Sequence, residues 1–470
     1  MARRLTRRIF LTRGLALAAS AAAGAPALIG ATAAAERNPI KIGLISPQTG
    51  GFSQNGRDMI NGMLLALKQV SERAAGREIR VFIEDDQGTP AQSLTKARKL
   101  VELEKVDVLV GPLTSNSGYA LRGYLDESHV PAVYPIVSAD DLTQRKRTPW
   151  IVRTGWSGSQ PNHPFGEYAA RTLHYRRIAA IAFDFSAGWE YVGGFQDMFE
   201  QNGGRVIARL WPPTGTPDFS PYLSRLPRDV DAVYGGFSGA DALRFLQQYR
   251  DFGLMGHVPL IGSGNFTDEH VLFQEGELAK GIVTALHYSA ALDRPANREF
   301  VRHYLRTYNR VPSYYSEGAF TAAQFILRGI EAVRGRIEDR AAFVAAMRKV
   351  ALPDDPRGPV KLDAWGNPVE NVYIRRVDIV KGQPQNTVIF TYKQVSQFWT
   401  FDPEEYLKRP PYTRDYPPPH PKGPHPPGRR DSMPSGRQTR FWNSLPGPTN
   451  GRPSPPPYSH RASDDTRKSP

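Results

Sequence analysis

From Pro39 to Val283 the chain alternates between short apolar runs and segments whose apolar residues recur at helical spacing, and few folds accept that order. Ile40–Ile45, Ile79–Ile83, Val106–Val110 and Val130–Tyr134 read as buried strands. Between them, Gly56–Ser71 places Met59, Ile60, Met63, Leu64, Leu67 and Val70 on one helical face, and Ser115–Glu127 predicts another helix. Thr89-Pro-Ala-Gln92 predicts a helix start, with Thr89 as cap, Pro90 in the first turn and Gln92 completing a capping box. A second series repeats the pattern: Ile178–Phe183, Trp189–Gln201, Val206–Leu210, Val230–Tyr234, Ala240–Phe252 and Val258–Ile261. Such alternation implies an α/β fold of parallel strands wrapped by helices, here as two doubly wound units. After Gly281 the pattern changes. Residues 297–309, 316–334 and 339–349 predict three helices, and residues 359–400 predict short strands that include Val372–Val380 and Thr387–Tyr392. The chain is expected to return to the first unit for those helices and then cross again to finish the second, leaving a hinged cleft.

The ends of the chain are of different character. Residues 1–35 carry a twin arginine in Thr6-Arg-Arg-Ile-Phe-Leu-Thr12, then an Ala-rich stretch from Leu15 to Gly30, then small residues suited to cleavage after Ala33 or Ala35. This predicts a twin-arginine type export signal and delivery to the periplasm. Residues 401–470 predict a Pro-rich, basic, disordered tail in which Phe441 and Trp442 are isolated aromatics; residues 409–470 alone hold 17 prolines. The net charge of +14 resides in these ends. The first 35 residues carry five Arg and no acid, and residues 409–470 carry eleven Lys or Arg against four Asp, which leaves +2 for residues 36–408. A nearly neutral globular part gives no case for nucleic-acid binding. With no cysteine, disulfides, thiolate metal sites and a lipidated cysteine anchor are excluded.

Two loops carry the functional signal. Gly111-Pro-Leu-Thr-Ser-Asn-Ser-Gly118 and Tyr134-Pro-Ile-Val-Ser-Ala-Asp-Asp141 each follow a predicted strand and lead into a helix. Free N–H groups and the helix dipole favour an anion there, and ligands of open α/β sheets bind at the carboxyl ends of strands. Helix capping alone also explains Ser and Asn at such positions. The pair predicts a cradle for a small carboxylate.

These features, with Ile40-Lys-Ile-Gly-Leu-Ile-Ser-Pro-Gln-Thr-Gly-Gly51, Glu84-Asp-Asp-Gln87, Val108-Leu-Val-Gly-Pro112, Arg153-Thr154, Tyr234-Gly-Gly-Phe237 and Gly318-Ala-Phe320, resemble the type I periplasmic solute-binding proteins of the branched-chain amino acid class of ABC transporters. The resemblance spans roughly residues 39–400. It implies two lobes joined by three hinge crossings, lobe one from 36–156 plus 286–358 and lobe two from 157–285 plus 359–400. It also implies a monomer that closes on a solute and delivers it to an inner-membrane permease. No enzyme activity, cofactor, metal or nucleic-acid partner is expected.

Where amino-acid-binding members grip a carboxylate, this sequence has Thr114, Ser115, Asn116, Ser138 and Ala139. Where they place acids for the ammonium group, it has Trp156-Ser157-Gly158 and Gly262-Ser-Gly-Asn265, with no acid. A buried ammonium without a counter-charge costs several kcal/mol. The expected ligand is therefore an aromatic or hydrophobic acid without an amino group, its carboxylate oriented by the first-lobe loops, walled by Phe52, Trp156, Phe185, Trp189 and Phe237, with Asn55 and Asn265 also in the cleft. The alternatives are an amino acid-binding protein, a periplasmic sensor receptor and an exported hydrolase. The last is disfavoured because Gly236-Phe-Ser-Gly-Ala240 and Gly155-Trp-Ser-Gly-Ser159 both break the nucleophile-elbow pattern. Arg145-Lys146-Arg147 is expected to be an exposed turn.

Overall fold

A computed structural model describes residues 38–420. The predicted export signal at 1–35, and the tail from residue 421 with Phe441 and Trp442, lie outside the described residues.

The first sheet runs in the order Arg73–Ala74, Arg77–Glu84, Ile40–Ile45, Val108–Val110, Ala132–Tyr134, Ile151–Arg153. It is parallel apart from the edge pair Arg73–Ala74 with Arg77–Glu84. Its strands Val108–Val110 and Ala132–Tyr134 are buried at every position, as parallel strands covered on both faces are. Helix Ser53–Gln69 packs on this unit and against helix Tyr314–Ala332, so closely that a side chain at Gly62 would stand 1.9 Å from the Ser316 carbonyl. The late helices therefore do return to the first lobe. Tyr308 Oη donates to the Asn61 carbonyl at 3.0 Å and Ser313 Oγ to Asp58 Oδ2 at 2.7 Å.

The second sheet begins with the parallel strands Arg205–Leu210, Arg177–Ala182, Ala232–Gly236, Leu260–Ser263 and Val283–Leu286. It is completed by antiparallel Pro368–Val380, which pairs with Gln383–Val395 and with the short strand Val360–Leu362, itself paired with Ala351–Leu352. The two lobes are thus joined where the chain crosses near residues 154–161, 287–294 and 349–359.

Arg357, in the third crossing, ties it to the first. Its guanidinium donates to the Thr154 carbonyl at 2.8 Å, the Gly155 carbonyl at 3.3 Å and Glu370 at 2.8 Å, and its Nε stands 3.1 Å from Glu317. Burial works against its charge, but Glu317, Glu370 and Asp355 outweigh burial and hold it above its usual range. Burial pushes Glu370 up to about 8, although Arg357 opposes this.

Two local readings change in three dimensions. Thr89 does sit at the N-cap of helix Pro90–Arg98, but its side chain accepts no capping bond. The acidic run beside it stabilises loops instead: Asp85 accepts from the N–H of Gln48 and of Gln87, and Asp86 from Gly88 N and Ser93 Oγ. The expectation of disorder from residue 401 is also corrected for its first twenty residues. Asp402 caps a helix at Pro403–Lys408, and Phe398, Tyr406 and Tyr412 build a small apolar cluster of their own. Proline content argued for an extended chain, but the aromatics between the prolines supply the buried surface that orders it.

Candidate ligand-binding cleft

A cavity of about 390 Å³ lies between the lobes, lined on one side by Phe52, Thr89, Thr114 and Asn116 and on the other by Phe185 and Ser238. Phe52, Thr89, Thr114, Phe185 and Ser238 are the N-cap residues of five separate helices: Ser53–Gln69, Pro90–Arg98, Ser115–Ser128, Ser186–Gln201 and Gly239–Asp251. Each helix starts where a strand of its sheet ends, so the alternation that forms the fold also gathers the helix starts at the cleft. Unpaired N–H groups and the positive ends of five dipoles make this cavity hospitable to an anion. Gly111 makes the first loop possible. Its φ is +87°, and a side chain there would stand 2.2 Å from the Ile45 carbonyl.

Two carboxylates also line the cavity, and both are engaged. Asp241 accepts from Gly215 N at 2.6 Å and pairs with Arg244 at 2.7 Å. Asp184 accepts from Trp189 Nε1 at 3.2 Å and pairs with Arg414 at 3.2 Å.

Deeper between the lobes runs a seam of buried polar side chains. Ser115 Oγ and Ser138 Oγ share a hydrogen bond at 3.0 Å, and Ser138 meets Tyr191 Oη at 3.3 Å. Asn265 Nδ2 donates to Tyr314 Oη at 2.9 Å and to Tyr191 Oη at 3.5 Å. Asn55 Nδ2 donates to Ser238 Oγ at 3.2 Å, which in turn contacts Tyr315 Oη at 2.6 Å. Trp156 stacks on Tyr191 with ring centres 5.4 Å apart and meets Tyr314 edge-on. Asn55 Oδ1, Asn265 Oδ1, Trp156 Nε1 and Ser157 Oγ are buried there with no protein partner. Buried polar atoms are normally satisfied, so this seam has hydrogen-bonding capacity to offer an occupant.

The twelve residues singled out from sequence thus divide by place. Phe52, Thr114, Asn116 and Phe185 line the cavity, and Asn55, Ser115, Ser138, Trp156 and Asn265 form part of the seam. Trp189 lines a neighbouring cavity. Two do not belong with them. Phe237 packs edge-on against Phe183 and Phe219 and close to Phe245, in the second-lobe core. Ala139 is fully buried, and its carbonyl accepts from Arg153 Nη2. Sequence reasoning missed Tyr191, inside the predicted helix Trp189–Gln201, and Tyr314 and Tyr315, which precede the helix predicted over 316–334. Ser238, set aside there with the broken nucleophile-elbow pattern, bridges the two lobes.

The absence of acids in Trp156-Ser157-Gly158 is offset from another element. Glu190 reaches this loop, so that a side chain at Gly158 would stand 3.0 Å from its Oε2. Burial, and then the neighbouring Asp140, push the Glu190 carboxyl well above its usual range.

Known proteins share this architecture. The chain matches the periplasmic binding protein family over residues 39–384. It is 30% identical to a Leu/Ile/Val-binding protein homolog of Brucella melitensis, over 74% of this chain and 90% of the relative. A solved ABC transporter substrate-binding protein from Sphaerobacter thermophilus superposes with a TM-score of 0.72 at 31% identity, covering 77% of this chain and 99% of that one. An ABC transporter solute-binding protein from R. palustris in complex with benzoate gives 0.72 at 28%, covering 76% and 98%. The lobes, the three crossings and the matched span agree: this chain belongs to the periplasmic binding protein family, as an ABC transporter substrate-binding protein with the type I fold.

Proposed function

We propose that the protein captures a small aromatic or hydrophobic carboxylate lacking an amino group by closing its lobes, and delivers it to a membrane permease after export through a twin-arginine signal. The observation that carries this reading is the convergence of five helix N-caps on one cavity whose two lining acids are each held by an arginine. The anionic head is held by Thr114 and the helix starts beside it, at ~1.5–3 kcal/mol for each charge-assisted hydrogen bond. The flat body lies against Phe52, Phe185 and the Trp156–Tyr191 stack. A cavity of about 390 Å³ suits a ligand of this size. The benzoate bound to the R. palustris neighbour is of the same class.

A second reading, an amino acid ligand, is favoured by two observations: Asp184 and Asp241 do face the cavity, and the Brucella relative is named for branched-chain amino acids. Calorimetry on the ligand-stripped protein separates the two. Binding of benzoate or 4-hydroxycinnamate with leucine silent is the expected result. Tight leucine binding with the aromatic acids silent assigns Asp184 or Asp241 to an ammonium group and overturns the proposal.

A further inference from the structure

Residues 396–420 follow the last hairpin and lie beyond the family match, which ends at residue 384. They run beside the cleft and hold both lobes. On lobe two, Arg409 pairs with Asp197 at 2.5 Å, and Tyr412 Oη donates to the same carboxylate and lies 3.1 Å from His163 Nε2. Gln196 Nε2 donates to the Pro418 carbonyl at 2.8 Å, Arg209 Nη2 to the Arg414 carbonyl at 2.7 Å, and His420 N to the Val206 carbonyl at 2.8 Å. On lobe one, Arg145 donates from Nε and Nη2 to the Arg409 carbonyl at 3.1 and 2.7 Å, and from Nη2 to the Tyr406 carbonyl at 3.0 Å. Thr143 Oγ1 donates to Gln397 Oε1 at 3.0 Å. The basic turn expected to be exposed is thus partly a docking point for the chain's own C-terminal segment.

The seat for this segment is built into the second lobe. Gly193 lies midway along helix Ser186–Gln201, and a side chain there would stand 2.3 Å from the Tyr412 ring. Glycine in a helix interior is unfavourable, yet only glycine admits the ring at this distance. Between the segment and the lobes lies a cavity of about 340 Å³, lined by Asn116 and Tyr119 from lobe one and Ser186 and Trp189 from lobe two.

Opening the cleft carries the loop of Thr143 and Arg145 away from helix Ser186–Gln201. A segment bonded to both must release one of them, and the bonds from Arg145 are the thinner attachment. We propose that residues 396–420 are a latch that shifts the lobes toward the closed state, because they bind that arrangement better than the open one. The proposal assumes that the lobes open and close, as the function above requires, but it is independent of the ligand's identity.

The chain has no cysteine, so introduced ones can be labelled cleanly. Thr95→Cys on helix Pro90–Arg98 and Gln247→Cys on helix Gly239–Asp251 are exposed sites on opposite lobes. Spin labels there report lobe separation in the ligand-free full chain by pulsed dipolar spectroscopy. The comparison is with Gly193→Ala, which improves helix propensity while evicting Tyr412, with Arg145→Met, and with a chain ending at Ser396. Trypsin cleavage after Lys408 and Arg414 reports independently that the segment has left its seat. The expected result is faster cleavage in Gly193→Ala and a shift to longer separations in all three variants. Unchanged separations in a variant whose segment has been released or removed overturn the latch, whatever ligand the protein binds.

Discussion

The outer cavity and the inner seam lie in the same cleft but are built from different materials. The cavity is walled by helix starts, whose N–H groups are fixed by the backbone and do not change when a side chain turns. The seam is made of side chains that bond to one another across the lobes, Asn55 to Ser238 and Ser138 to Tyr191. Rigid main-chain dipoles suit recognition of charge, because they need no reorganisation when the anion arrives. Side-chain pairs that can part suit recognition of shape and hydrogen-bonding pattern. In the function proposed above, the carboxylate lies at the helix starts of the outer region and the ligand's body reaches inward to the Trp156–Tyr191 stack.

The strongest perturbation is at the hinge behind the seam. Arg357→Leu removes the one guanidinium that Glu317, Glu370 and Asp355 surround. Breaking a buried ion cluster from one side costs about 3–5 kcal/mol, and urea unfolding measures it directly. A loss below about 1 kcal/mol shows that the carboxyls take up protons and tolerate the change.

The comparison of cavity and seam is tested by two single substitutions. Thr114→Val keeps the shape and removes the hydroxyl that caps Ser117 N in the outer wall. Tyr191→Phe keeps the ring on Trp156 and removes the hydroxyl bonded to Ser138. For an aromatic carboxylate, Thr114→Val is expected to weaken binding by tenfold or more, from ~1.5–3 kcal/mol for a charged hydrogen bond. Tyr191→Phe is expected to cost about 1 kcal/mol, a few-fold. The reverse order in calorimetry moves the carboxylate into the seam.

The smallest effect is on pH dependence. Burial, and then Asp268, push Glu269 up to about 8, behind the seam in lobe two. The folded protein therefore keeps a proton that the unfolded chain releases near its ordinary pKa of about 4.3. The stability linked to Glu269 is full below that value and is lost as pH rises through about 8. The melting temperature is expected to fall between pH 6 and pH 8.5, and Glu269→Gln, which mimics the protonated acid, to flatten that fall. An unchanged slope in Glu269→Gln assigns the fall to another group, such as Glu370.

Much of the fold was legible because it rests on local periodicity. Ile40–Ile45, read from six residues, appears with those bounds, and the helices near 297–309, 316–334 and 339–349 appear within a few residues. The loop at Thr114–Asn116 was legible for the same reason, since a strand end followed by small polar residues marks a helix start. Phe237 was misplaced because an aromatic at a strand end looks alike whether it turns outward or, as here, into a nest of Phe183, Phe219 and Phe245. Tyr191 was passed over because helical spacing does not distinguish a core ring from one whose hydroxyl reaches another lobe, and Tyr314 and Tyr315 because the helix was predicted to begin two residues later, at 316.

By itself, then, the sequence determined the two doubly wound lobes, the return of the late helices and the helix starts that face the cleft. Strand, helix and helix start each show in the local spacing of apolar and capping residues, and their order along the chain marks the lobes. Only the tertiary structure decided which polar side chains meet across the cleft, that Glu190 reaches a loop bare of acids, and that residues 396–420 fold onto Gly193 and Arg145. Those contacts join residues as much as 264 positions apart, and no local pattern encodes a distance that only the closed chain creates.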